Sequence, residues 1–195
     1  MNNSTGLRPL DTAILKGNHD VALHLYRLEP GALSWDTSRA LRVAVLVHAV
    51  ELITEFADNS NIQVMQEPPQ QEPARLNGSA VSIAIQRDYG DVLDALWPRL
   101  KSAPVEHVVK MLQLALSHRA HDCLELLETR IRYPWQLVAH SAVELDLGNV
   151  LRHILERGLV SGSRNFHVWI NSLIATASRH GKGAALQALL AFRTN

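Results

Sequence analysis

Residues 6–32 read GLRPLDTAILKGNHDVALHLYRLEPGA, and this stretch carries the pattern of a complete helical hairpin. Pro9 suits the first turn of a helix, because its φ is already helical and its missing N–H would have no partner there. The apolar residues that follow recur at helical spacing and are Leu10, Ala13 and Ile14. Gly17-Asn18 predicts the end of this helix, since both residues tolerate the left-handed conformation that ends helices.

A second helix is predicted directly after that turn. Asp20 favours its N-terminus as a capping or first-turn acid. Its predicted apolar stripe is Val21, Ala22 and Leu25. Pro30-Gly31 ends it. Two helices, a tight turn and a Gly-containing exit within about 35 residues are typical of one repeat unit in a repeat protein.

This stretch resembles an ankyrin repeat. The matching residues are Gly6, Pro9, Leu10, Ala13, Gly17, Asn18, Val21, Leu25, Gly31 and Ala32. Arg8 stands where the family usually has Thr and Asp11 where it usually has His, which in the family's terms weakens the hydrogen-bonded start of the first helix. The resemblance implies an all-α, helix-turn-helix solenoid that binds another protein, with or without short hairpin fingers.

Weaker copies of this unit follow along the chain, each with an alanine anchor, a break about four residues later and an apolar pair beyond it. The anchors are Ala13, Ala44, Ala84, Ala115, Ala142 and Ala177, at successive spacings of 31, 40, 31, 27 and 35. Their predicted breaks are Gly17-Asn18, His48-Ala49, Asp88-Tyr89-Gly90, His121-Asp122, Asp146-Leu147-Gly148 and His180-Gly181. The pattern A-x-x-x-D-x-G-[DN]-V-L, shared by the third and fifth copies, is the best internal evidence for repetition.

We therefore predict one repeat domain over residues 1–195. Its repeats lie near 6–32, 37–57, 79–100, 105–130, 134–158 and 166–192, with a Pro/Gln-rich insertion at 58–78. The insertion is interpreted as a plain loop rather than a dedicated binding arm. Because only the first copy matches the ankyrin pattern densely, a generic solenoid of helical hairpins is the structural alternative.

The charge balance and cysteine content limit the partner and the compartment. The 19 Lys and Arg residues equal the 19 Asp and Glu residues, which argues against nucleic acid as a partner, since such binding rests on phosphate neutralisation. The single cysteine, Cys123, allows no internal disulfide and fits a reducing compartment. No apolar run is long enough for a membrane helix, and the N-terminus lacks the apolar core of a signal peptide. We expect a cytoplasmic protein with no membrane partner, without excluding export to another cell.

No catalytic motif is present: there is no P-loop, G-x-G-x-x-G, G-x-S-x-G or H-E-x-x-H. His118-x-x-His121 with Cys123 nearby is the tightest group of potential metal ligands, but its spacing is not a zinc signature. Cys123 takes the place of Val21 and Val92 in their copies, so it is interpreted as a core residue rather than a nucleophile. We therefore predict no enzyme activity, no cofactor and no metal site.

In ankyrin repeats the two residues before the turn help to line the concave face that contacts partners. Carried over to this chain, they are Leu15 and Lys16, Leu46 and Val47, Gln86 and Arg87, Ser117 and His118, Glu144 and Leu145, and Arg179 and His180. Trp35 and Trp135, in connections between copies, are further candidates, because exposed Trp is a frequent interface anchor.

The resulting prediction is a module that binds a partner protein through this face and acts as a scaffold, an inhibitor or an effector. Two alternatives stay open. One is a metal-dependent enzyme built on the turns rich in His and Cys. The other is a structural subunit that self-associates through an exposed end repeat.

Overall fold

The computed structural model describes residues 9–28, 37–58, 64–65, 78–160 and 166–194, and these residues are all-α with no strand. Their twelve helices are α1 (Pro9–Leu15), α2 (His19–Leu28), α3 (Thr37–Leu46), α4 (Val50–Ala57), α5 (Ala80–Gln86), α6 (Gly90–Leu100), α7 (Val105–His118), α8 (His121–Arg130), α9 (Trp135–Glu144), α10 (Gly148–Glu156), α11 (Phe166–Arg179) and α12 (Gly183–Thr194). The all-α prediction is confirmed.

Each odd-numbered helix is followed by a tight turn and an even-numbered helix, and all six turns have a left-handed residue at the same place. The fourth residue after each anchor alanine has a left-handed backbone: Gly17, His48, Asp88, Arg119, Asp146 and Gly181 have φ of 72°, 58°, 55°, 56°, 58° and 64°. All six anchor alanines are buried. The repeat is therefore a property of the backbone as well as of the sequence.

Hydrogen bonds explain why the break falls four residues after the anchor. In five of the six pairs the anchor carbonyl accepts a hydrogen bond from the backbone N–H five residues later, as Asn18 donates to Ala13 and Leu147 donates to Ala142. This is the closure that a left-handed residue permits at a helix C-terminus. In the fourth pair, the N–H of Arg119 bonds directly to the carbonyl of Ala115.

The turn of the fourth pair was predicted wrongly. His121 and Asp122 are the first residues of α8, and the turn lies at Arg119 and Ala120. Arg119 is neither Gly nor Asn, so nothing in its side chain marks a left-handed position. In the first and last pairs the left-handed position is marked in the sequence, because Gly17 and Gly181 occupy it.

Contacts divide the chain into two compact units. Unit 1 comprises Met1–Lys101 and Ala120–Leu126, and unit 2 comprises Ser102–Arg119 and Leu127–Asn195. In unit 1, α1, α3 and α5 pack in succession and α4 packs on α6. In unit 2, α7, α9 and α11 pack in succession and α10 packs on α12. One domain with the repeat limits given above stays a prediction.

In the motif shared by the third and fifth copies, the Asp and the Gly contact the second helix of the next pair. In unit 1, Asp88 Oδ1 accepts a hydrogen bond from the Cys123 N–H at 3.0 Å, near the start of α8. A Cβ on Gly90 would lie 3.1 Å from the Asp122 Cβ. In this motif the Asp therefore caps the second helix of the next pair, and the Gly lets that helix approach.

The first pair departs from the pattern in two places. Val21, predicted to belong to the buried stripe of α2, is 51% exposed. Asp11, at the family's usual His position, is buried and forms an ion pair with Arg39 of α3 at 3.0 Å. Its carboxylate thus links α1 to the next pair, although the substitution was expected to weaken this end of the repeat.

Hairpin fingers are absent from the two connections that the structure describes in full, residues 101–104 and 131–134, which contain no strand. In the second of these, the Tyr133 hydroxyl donates to the Ala103 carbonyl at 2.8 Å. Most of the predicted insertion lies outside the described residues. Its described part includes Val64, which is buried and accepts a long hydrogen bond from the Val81 N–H at 3.4 Å.

Candidate partner-binding surface

The predicted binding positions are the last residues before each left-handed turn, so the same helix ends present them all. Lys16, Val47, Gln86, Arg87, Ser117, His118, Glu144, Leu145, Arg179 and His180 are exposed, whereas Leu15 and Leu46 are half-buried. Val47 and Leu145 are unusual, because each is a large apolar side chain with 37% exposure. Whether these residues bind a partner stays a prediction.

The two tryptophans proposed as anchors have different outcomes. Trp135 is the first residue of α9, directly after Pro134, and is half-buried. Part of its ring therefore packs against the protein and part remains accessible. Trp35 lies outside the described residues.

Unit 2 contains a groove that includes two of the predicted positions. Its volume is about 330 Å³, and it lies between α7 and the turn that joins α9 to α10. It is lined by Lys110, Gln113, Leu114, Ser117, Leu145 and Leu147. Such a volume lies at the lower end of the range of about 300–1,000 Å³ typical of ligand sites.

The groove offers an apolar floor with polar groups beside it. Three leucines supply the apolar surface, and Lys110 is exposed. The side-chain oxygen of Gln113 is buried and has no hydrogen-bond partner among the described residues. The groove can thus hold an apolar group and, at the exposed Lys110, an anion.

Four lining residues were not among the predicted positions: Lys110, Gln113, Leu114 and Leu147. The first three precede Ser117 by seven, four and three residues, so they share one face of α7 with it. Helical periodicity alone would have found these three. Leu147 follows the left-handed Asp146, and only the fold brings it beside α7.

Some charged side chains near the predicted row are engaged with one another. Glu144 lies 3.5 Å from His140, one turn earlier on α9. In unit 1, His48 Nε2 lies 2.9 Å from both carboxylate oxygens of Asp91, and its ring stacks on Tyr89 with centroids 4.2 Å apart. Partial burial disfavours ionisation of Asp91, but the hydrogen bonds with His48 and with the Val92 N–H, together with electrostatic attraction to His48, outweigh this and lower its pKa.

A more enclosed cluster lies in unit 2, where Glu128 of α8 meets α10 and the residue that follows it. Glu128 Oε1 is 2.8 Å from His153 Nε2, and Oε2 accepts from Arg157 Nη2 at 2.8 Å. Burial disfavours the charged form of Glu128, but the hydrogen bonds from Arg157 and His153 outweigh this effect and lower its pKa below the ordinary value. The cluster ties Glu128 of α8 to His153 of α10 and to Arg157, the residue that follows α10.

The residues that suggested a metal site do not assemble into one. Within the described residues, no group of three or more His, Cys, Asp and Glu side chains is placed to hold a metal ion. His118 and His121 are exposed, whereas Cys123 is fully buried. Burial, with a further contribution from Asp88, raises the pKa of the Cys123 thiol to about 12. The thiol stays protonated at neutral pH, and only the thiolate is a good ligand or nucleophile.

Comparison with known proteins supports the fold. No protein-family model matches the sequence, and no curated protein sequence matches it significantly. Among solved structures, the ankyrin repeat domain of Bcl-3, described as a unique member of the IkappaB protein family, has a TM-score of 0.54 and 17% sequence identity. The match covers 96% of this chain and 86% of that one. The chain therefore has the fold of an ankyrin repeat domain, as the sequence resemblance predicts.

Among the described helices, none combines the length and the apolar character needed to cross a bilayer.

Proposed function

We propose that this protein is an interaction module that binds a partner protein through the ends of its odd-numbered helices, as a scaffold, an inhibitor or an effector. The groove between α7 and the α9–α10 turn is the observation that carries the proposal. It joins two predicted positions, Ser117 and Leu145, in one apolar depression. Ankyrin repeat domains are in general protein-interaction modules, which supports the same function.

The chemistry of the groove indicates the kind of segment that it accepts. The leucines favour burial of an apolar side chain, which supplies most of the energy at interface anchors. Lys110 attracts a carboxylate at the edge of the groove. We therefore expect the partner to insert an apolar residue that lies next to an acidic one.

The test uses two leucines of similar exposure in unit 2. Leu145 lines the groove and is 37% exposed, whereas Leu190 of α12 is 44% exposed and does not line it. Partners are captured from a lysate of the source cells with the wild type, Leu145→Asp and Leu190→Asp. Their affinities are then measured with purified components. We expect Leu145→Asp to weaken binding at least about tenfold, which corresponds to about 1.4 kcal/mol, and Leu190→Asp to bind normally.

Charge reversal of Arg87 and Arg179 together tests the rest of the predicted row, because both side chains are exposed and the variant should fold. Weaker capture by this variant would support binding along the helix ends. A partner that binds all the variants with wild-type affinity would contradict the proposal. Circular dichroism of each variant establishes that lost binding is not lost folding.

A further inference from the structure

The groove between α7 and the α9–α10 turn has one charged side chain in its lining. That residue is Lys110, which is exposed, while the other lining residues are neutral. Lys110 forms no ion pair with any described residue, although Glu106 lies one turn before it on α7. Its ammonium group is therefore available to an anion that enters the groove.

The acidic side chains near the other edge of the groove are engaged with different groups. Glu144 of α9 lies 3.5 Å from His140. In the α9–α10 turn, Asp146 Oδ1 accepts a hydrogen bond from the Ala185 N–H at 2.9 Å. Neither carboxylate is paired with Lys110, so the groove presents a positive charge beside an apolar surface.

The cation and the apolar surface lie close together along α7. Lys110 and Leu114 are four residues apart, so their Cβ atoms are about 5–6 Å apart on one face of the helix. Ser117 follows on this face, and its hydroxyl already donates to the backbone carbonyl of Gln113 at 2.8 Å. A ligand that uses both features must therefore carry a carboxylate directly beside its apolar group.

Two neighbouring residues inside a peptide segment do not offer this arrangement. Successive side chains point to opposite faces of an extended segment, and side chains one position apart do not face each other on a helix. A C-terminal residue does offer it, because its side chain and its α-carboxylate are attached to the same Cα. That carboxylate is ionised at neutral pH, since its ordinary pKa is about 3.3–3.7. The groove volume of about 330 Å³ also suits one residue better than a long segment.

We propose that the groove binds the C-terminal residue of a partner protein, an apolar residue whose free α-carboxylate pairs with Lys110. This inference rests on the function proposed above and specifies that the acidic group of the partner is its chain terminus. The leucines bury the terminal side chain, and Lys110 holds the carboxylate at the edge of the groove. An acidic side chain of an internal segment is the other source of a carboxylate, and the experiment separates the two sources.

Three peptide pools, passed over the immobilised full chain, test the proposal. Two pools have randomised positions followed by a last residue that is Leu, Ile, Phe or Met, and they differ only in ending in a free carboxylate or in an amide. The third pool is amidated and carries the same apolar residues internally, with Glu at a nearby position. Retained peptides are identified by mass spectrometry. We expect retention from the free-carboxylate pool and not from the two amidated pools.

The affinity of a retained peptide then tests the role of Lys110. We expect amidation of the peptide and Lys110→Gln each to weaken binding about three- to tenfold, because an ion pair at an exposed edge contributes modestly. In Lys110→Gln, amidation should have little further effect, since both changes remove the same contact. Lys101→Gln is the matched control, because Lys101 is exposed and does not line the groove. This control should bind like the wild type.

Three results would overturn the proposal. One is equal binding of the free and amidated forms of the peptide. Another is retention of the internal pool in place of the free-carboxylate pool, or retention of no pool. The third is wild-type affinity of Lys110→Gln for the free peptide. In each case, a partner captured from the lysate that still loses affinity for Leu145→Asp would leave the proposed function intact, so the two failures are distinguishable.

Discussion

Asp146 Oδ1 accepts a hydrogen bond from the backbone N–H of Ala185 at 2.9 Å, although the two residues are 39 positions apart. Asp146 has a left-handed backbone after α9, and Ala185 is the third residue of α12. One residue thus ends the first helix of its own pair and caps the second helix of the next pair. In unit 1, Asp88 and Cys123 form the same contact at 3.0 Å.

The inter-repeat cap predicts a loss of stability when Asp146 is replaced. We expect Asp146→Ala to lower the free energy of unfolding by about 1–2 kcal/mol, because the N–H of Ala185 loses its acceptor. Arg119→Ala is the control, since Arg119 also has a left-handed backbone and no such cap is observed for it. Urea unfolding of both variants measures the difference. Equal losses would show that backbone strain, and not the cap, governs this position.

Gly148 should not tolerate a side chain. A Cβ there would overlap the carbonyl oxygen of Ala184 and lie 2.7 Å from its carbonyl carbon. We expect Gly148→Ala to cost roughly 1–3 kcal/mol, because backbone must move to admit the methyl group. At Gly183 a Cβ meets nothing within 4 Å, so Gly183→Ala should be neutral or slightly stabilising. Thermal unfolding of the two variants tests this contrast, and a neutral Gly148→Ala would refute the close approach of α12.

The Glu128 cluster predicts how stability depends on pH. The folded state lowers the pKa of Glu128 below its ordinary value of 4.5, so the unfolded state binds more protons as the solution becomes acidic. The contribution of Glu128 is therefore complete above about pH 5.5 and is lost as the pH falls through 4.5 towards the folded-state pKa.

Urea midpoints measured from pH 7 to pH 3 test this assignment. Glu128→Gln should lower the free energy of unfolding near neutral pH by roughly 1–2 kcal/mol. Below about pH 5.5 the stability of this variant should fall less steeply with pH than that of the wild type. Asp91→Asn should change the profile less, since the side chains of Asp91 and His48 are 55% and 42% exposed and solvent screens their interaction. If the urea midpoint of Glu128→Gln falls with pH as steeply as that of the wild type, other groups cause the loss of stability in acid.

Cys123 should not react with thiol reagents in the folded protein. It is fully buried and its pKa is raised to about 12, so it offers neither access nor thiolate at pH 8. We expect labelling by a disulfide reagent to follow the rate of unfolding and to accelerate as urea is added. Protein unfolded in 8 M urea provides the reference rate. Rapid labelling without urea would show that this part of α8 opens locally.

Local pattern was sufficient to predict the all-α ankyrin repeat fold and the anchor alanines. The spacing from each anchor to its left-handed residue was predictable because a helix C-terminus closes through bonds between residues four or five positions apart. Gly17 and Gly181 could be read directly from the sequence. Arg119 could not, because packing rather than side-chain preference places it in that conformation.

The sequence indicated Ser117 and Leu145 as parts of the candidate surface. It did not indicate that the two residues line the same groove. Lys110, Gln113 and Leu114 lie on the same face of α7 as Ser117, so helical periodicity could have added them. Leu147 joins them only because α9 packs on α7. The register had already predicted that Cys123 is a core residue, whereas the exposure of His118 and His121 needed coordinates.

The sequence by itself determined five of the six helix-ending turns and the helical periodicity of the apolar residues, because these depend on contacts within one or two helical turns. Tertiary structure decided what each pair does with its neighbours: which carboxylate caps a helix 39 residues away, and which glycine must stay a glycine. It also decided that Val21 and Leu190 are exposed while residues at the same register are buried. The physical reason is that burial belongs to the surface between two packed pairs, so a side chain at a given register is buried only where another pair packs on it.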